Sequence, residues 1–201
     1  MFNSPPPANR WAFLKVATYV EASLVLAAYF FGWLADLDPL ADLRLELPSL
    51  LWGVAGTAPL YLLFLLSYRF PLGGLRAIKR LLVEQLGPFL DACHWTHLLY
   101  LGMLAGFTEE VLFRGLLQPL AESHGGWAAG IAASNLLFAL AHCITPLYAL
   151  LAGLTGIYLG LALDWGGERN LLTPIAIHAL YDFLAFLAVA RTYRAGHGRV
   201  F

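Results

Sequence analysis

Stretches of about twenty mostly apolar residues recur along this chain, and a helix of that length spans the roughly 30 Å hydrocarbon core of a bilayer. Hydropathy delimits six of them, at about residues 11–34, 49–68, 97–120, 127–143, 146–165 and 171–190. Of the 201 residues, 60% are hydrophobic and only 12% charged, where soluble domains carry about 25% charged residues. Backbone groups in lipid must be satisfied within the spanning segment, and no alternating barrel pattern is present. The fold class is therefore all-α: a polytopic transmembrane helical bundle of about six spans.

The basic residues set an expected topology. If six spans alternate, Arg10, Lys15, Arg69, Arg76, Lys79, Arg80, Arg191, Arg194 and Arg199 fall on one side and only Arg44 and Arg169 on the other. The positive-inside rule then puts both termini in the cytoplasm. Residues 1–10 read as a polar, proline-rich tail, 11–190 as one transmembrane domain without repeats or linkers, and 191–201 as a basic tail. The first apolar run is too long for a signal-peptide core and reads as a retained span. Between the second and third spans, Leu75, Ile78, Leu82 and Leu86 recur at helical spacing among Arg76, Lys79, Arg80 and Glu84. That pattern suits an amphipathic helix in the interface, its basic face toward headgroups, with a solvated connector as the plainer alternative. Cys93 and Cys143 give no disulfide framework and read as small apolar fillers.

Residues 102–120 would be an ordinary span but for Glu109, Glu110 and Arg114. Each ionisable group at mid-bilayer costs at least about 2.5 kcal/mol, so three together call for a function. Glu110 and Arg114 share a helix face and can pair, whereas Glu109 points about 100° away and has no local cation. His142 ends the fourth span with Phe138 one turn before it, and His178 and Asp182 share a face of the sixth. A carboxylate beside a histidine can activate water, and a further histidine can donate to a developing oxyanion. The plainer readings are a structural ion pair at Glu110 and Arg114, and interhelical hydrogen bonding by the histidines. Asn135 shares the face of His142 and can bond across helices, while His94 and His97 suit an interface and His124 and His197 receive no role. Glu109 sits about 18 Å along the third span, deeper than His142 at the end of the fourth. The two meet only if the first turns of the third helix protrude, so that its apolar part begins near Gly102.

EEVLFR at 109–114, FALAH at 138–142 and HALYD at 178–182 resemble, in order and on successive helices, the EExxxR, FxxxH and HxxxN motifs of the CAAX protease and bacteriocin-processing (Abi) family of intramembrane proteases, which includes the type II CAAX prenyl endopeptidases. The similarity covers about residues 98–187. It implies a glutamic-type peptidase in which Glu109 and His142 position and activate the hydrolytic water. It further implies that Glu110 and Arg114 support the site, and that His178 stabilises the oxyanion together with residue 182. This chain departs from the family in having Asp182 where asparagine is usual. An ionised aspartate cannot donate to an oxyanion, so it is expected either protonated or holding His178 as a charged donor.

No cofactor is expected. Zinc on Glu109, His142 and His178 is the less favoured alternative, because the HExxH spacing that secures such an assignment is missing. The resemblance implies a prenylated CAAX-like tail, a leader peptide or a C-terminal sorting anchor as substrate, and the shortness of the chain points to a prokaryotic inner membrane. The expected partners are the bilayer and a membrane-anchored protein or peptide, without nucleic acid; the oligomeric state is not legible. The rival reading is a non-catalytic transporter or immunity protein that uses the same groups for protons or ligand, although no repeated halves support a transporter.

Overall fold

The computed structural model describes residues 9–196, so the tail assignments at 1–8 and 197–201, His197 and Arg199 included, lie outside the described residues. Asn9 opens the first helix, α1 (Arg10–Ala35), by accepting from the backbone N–H groups of Trp11 and Ala12 at 3.1 and 3.2 Å. Asp36, in the left-handed region at φ 55°, closes it. Then follow α2 (Leu47–Arg69), α3 (Gly74–Leu81), α4 (Gly87–Asp91), α5 (Trp95–Glu110), α6 (Gln118–Ala141), α7 (Pro146–Ala162) and α8 (Leu172–Gly196). Two π-helical stretches, Leu82–Leu86 and Val111–Leu117, join α3 to α4 and α5 to α6.

Helices stand at all six predicted runs, and no strand occurs among the described residues. By length and composition, α1, α2 and α8 are long and apolar enough to cross a membrane, and α7 is apolar but shorter. Large apolar side chains such as Tyr19, Leu26, Trp33 and Leu63 stand exposed on α1 and α2, as expected of surfaces solvated by lipid. The protein is an integral membrane protein.

The third and fourth runs form an antiparallel hairpin, and its geometry resolves the depth problem. Gly126 breaks α6 with φ 76°, a conformation that suits glycine, and the chain doubles back there. Seventeen residues separate Glu109 from Gly126 and sixteen separate Gly126 from His142, so the two return to one level. Phe113 faces Phe138 and Arg114 reaches Asn135, in the same register. The first turns of α5 therefore extend past His142. His94 and His97 start this extension: the His94 ring accepts from Thr96 N–H, and His97 Nδ1 accepts from His94 N–H at 3.1 Å.

α8 lies against α5 along a glycine stripe. A Cβ at Gly106 would fall 2.6 Å from the Ala179 nitrogen, and one at Gly102 would fall 2.6 Å from the Ala179 carbonyl oxygen. Ala179 follows His178, so this close approach sets where that imidazole stands. Gly106→Val should push the helices apart, lower the melting temperature and cost about tenfold or more in activity per folded molecule, overpacking being worth about 1–3 kcal/mol. Equal melting curves and activity would contradict it.

Ile78 and Leu90 are buried and Leu82 and Leu86 half-buried against the bundle, leaving Arg76 and Arg80 exposed. The amphipathic segment thus seats its apolar face on protein and turns a basic edge outward. Lys79 donates to the Tyr68 carbonyl at 3.0 Å, and Arg194 pairs with Asp91. At the opposite end Arg169 grips Glu122 with two N–H groups at 2.7 and 3.1 Å and reaches Asp164 at 3.0 Å. Hydrogen bonding to Glu122, then to Asp164, holds that guanidinium above its already high ordinary pKa. Cys93 is buried in an apolar cluster, whereas Cys143 is exposed and does not act as the core filler expected of it.

Candidate active site

The hairpin and α8 bring the predicted residues together. Arg114, wholly buried in the π-helical stretch, donates Nη1 to Glu110 Oε1 at 3.0 Å, and Nη2 to Asn135 Oδ1 at 3.0 Å and to the Gly156 carbonyl at 2.6 Å. One guanidinium thereby ties α5, α6 and α7, and its plane lies over Phe138 at 4.7 Å. Arg114 lies within this π-helical stretch, and such bulges are frequent at functional sites. The cross-helix bond expected of Asn135 is present.

Glu110 is not confined to its intrahelical pair: its Oε1 also accepts from His178 Nδ1 at 2.7 Å. The carboxylate has only lone pairs to offer, so Nδ1 carries a proton and Nε2 faces the other way. There Asp182 Oδ2 stands 3.7 Å from Nε2, one turn along α8. Asp182 thus lies beside His178, as the spacing predicts.

Glu109 faces the other histidine. Its Oε2 lies 3.6 Å from His142 Nε2 and has no hydrogen-bond partner among the described residues. His142 Nδ1 meets the Phe138 carbonyl at 2.8 Å, and a carbonyl can only accept. Nδ1 therefore bears the hydrogen, and in the neutral ring Nε2 turns a lone pair toward Glu109. Phe138 also stacks on the His142 ring at 4.3 Å and meets His178 edge-on at 6.1 Å. The F and the H of the FxxxH pattern are accordingly one device, a ring and a carbonyl that hold an imidazole.

Residues 92–184 match the family model of the type II CAAX prenyl endopeptidase Rce1-like proteins. This is a protease family, and the matched segment contains all six residues singled out from the sequence. The Rce1-like segment begins just before α5 and ends two residues past Asp182. Among curated proteins, the chain is similar to "Uncharacterized protein YpbD" of Bacillus subtilis (strain 168), 37% identical over 90 residues. That alignment covers 43% of this chain and 42% of the relative, so this chain spans less than half the length of the relative it matches. No solved structure matches.

Three residues close to these side chains, two within the matched segment and one outside it, were not legible in the sequence. The Gly156 carbonyl accepts from Arg114, and only a residue without a side chain leaves room, since a Cβ there would meet Asn135 and Arg114. Tyr148, half-buried in the first turn of α7, stands within electrostatic reach of Glu109 and Asp182. Glu21 on α1 reaches the same pair. Among the described residues, no three His, Cys, Asp or Glu side chains converge as metal ligands.

Proposed function

We propose that this chain is an intramembrane endopeptidase of the glutamic type, with residues 11–190 as its single transmembrane domain. The observation that carries this reading is Glu109 opposite His142 at 3.6 Å, with the ring turned by the Phe138 carbonyl so that two acceptors face one point. A water molecule there donates one O–H to Glu109 and the other to His142 Nε2, which aims an oxygen lone pair outward. Attack on a peptide carbonyl transfers a water proton to this acceptor pair. The developing oxyanion is met by the Nε2–H of a charged His178, held between Glu110 and Asp182. The tetrahedral intermediate then expels the amine, which takes the proton back.

No cofactor enters this scheme, and zinc remains the less favoured alternative. The substrate is a membrane-anchored protein or peptide: a CAAX-like tail, a leader or a C-terminal sorting anchor. The protein resides in a prokaryotic inner membrane with both termini cytoplasmic.

Asp182→Asn, which restores the family's commoner residue, should keep activity within about fivefold, because an amide can donate to the oxyanion directly. Asp182→Ala should lose about a hundredfold in kcat, because His178, the oxyanion donor, loses the acid beside its Nε2 and no amide replaces it. Equal rates for the two variants would exclude a polar role for the position.

The test of the function is mass spectrometry of membrane-protein termini in cells with and without the gene. A terminus that shifts on deletion and is restored by the wild type, but not by a Glu109→Gln/His142→Ala double variant, supports proteolysis. Full restoration by the double variant would favour a non-catalytic transporter or immunity protein.

A further inference from the structure

Glu21 stands midway along α1, outside the Rce1-like segment. An ionisable residue in the middle of an apolar span calls for a partner and a reason. The ion pairs that hold Glu109, Glu110 and Asp182 do not include it. Its partner is Thr108, whose Oγ1 donates to Glu21 Oε2 at 2.5 Å. Thr108 is 2% exposed, and its other acceptor, the Ala105 carbonyl of its own helix, lies 3.5 Å away. A helical threonine left alone turns back onto such a carbonyl. Here a charge-assisted bond holds the hydroxyl to another helix instead.

The position of this bond gives it meaning. Thr108 immediately precedes Glu109, and α5 is a regular helix there, so a tether on Thr108 fixes the rotation that aims Glu109. Glu21 also stands within electrostatic reach of Glu109 and Asp182. Resting on the peptidase reading above, we propose that Glu21 is a positioning residue: through Thr108 it locks α5 in the rotation that holds Glu109 against His142. The first helix is then part of the active site rather than a bystander packed on the family core.

The experiment is cleavage of the identified substrate by purified variants in proteoliposomes. Gln in place of Glu21 keeps an acceptor and Leu does not; Ser in place of Thr108 keeps the donor and Val does not. Glu21→Leu and Thr108→Val should each lower kcat about tenfold with KM moved less than about twofold, while Glu21→Gln and Thr108→Ser stay within about threefold of wild type. The Glu21→Leu/Thr108→Val double variant should lose no more than either single one, the signature of a shared bond. If Glu21→Leu fails to fold, Thr108→Val carries the test from the partner side. Wild-type kcat in Thr108→Val, or losses that multiply in the double variant, would overturn the inference. A fully active Glu21→Leu beside an inert Glu109→Gln overturns only this inference, whereas an undiminished Glu109→Gln overturns the peptidase reading itself.

Discussion

Glu109→Gln is expected to reduce kcat about a thousandfold while leaving the melting temperature and KM near their wild-type values, within the range that loss of a general base produces. The separation of the two effects follows from what Glu109 does not touch. Arg114 is bound by Glu110, Asn135 and Gly156, so neutralising Glu109 strands no buried cation. His142 keeps its bond to the Phe138 carbonyl, and the amide has the volume of the carboxylate. Only the acceptor that receives the water proton is lost. Steady-state cleavage with a thermal melt of the same preparation checks this, and residual activity within about tenfold of wild type would remove Glu109 from the reaction. The same change at Glu110 has a different character: it weakens the bonds to both Arg114 and His178 and should lower stability and rate together.

That two adjacent glutamates face different partners was legible from helix geometry alone, because neighbours on a helix point about 100° apart. The Glu110–Arg114 pair, the stacking of Phe138 on His142 and the proximity of His178 to Asp182 are likewise four-residue spacings. What spacing could not supply were contacts between helices, such as His178 on Glu110, since nothing in one helix tells which face a second one meets. Glu21 escaped notice for a related reason. It is a lone acid in α1 with no basic residue one turn away, and its partner lies 87 positions on. The number of spans was legible only as a number of helices. Hydropathy marks apolar runs, but α5 and α6 join through a π-helical stretch and α6 breaks at Gly126, so neither is one long apolar rod. The π-helical turns at Val111–Leu117 have no periodicity signal of their own.

The other large effect belongs to Arg114. Arg114→Met should destabilise the protein by about 3–5 kcal/mol, the scale for removing one partner of a buried ion pair, and pulse proteolysis or thermal melting in detergent would measure it. The loss goes beyond charge: Glu110, fully buried, would be left with His178 alone, and Asn135 Oδ1 and the Gly156 carbonyl would lose their donor. Arg114→Lys should recover part of this, since an ammonium supplies the charge but not the planar fork that joins α5 through Nη1 to α6 and α7 through Nη2. Glu110→Gln/Arg114→Met should be milder than the sum of its parts, because removing both charges removes the desolvation cost that makes either one alone expensive. The pair is not an optimum of stability even in the native protein, where Arg114 Nε and Glu110 Oε2 find no partner among the described residues. A bundle selected for stability alone would fill this space with packed apolar side chains. Retention of an incompletely satisfied cation between three helices makes sense if its task is to hold Glu110 against His178. If Arg114→Met melts like the wild type, Arg114 is not the tie between α5, α6 and α7, and the placement of His178 needs another cause.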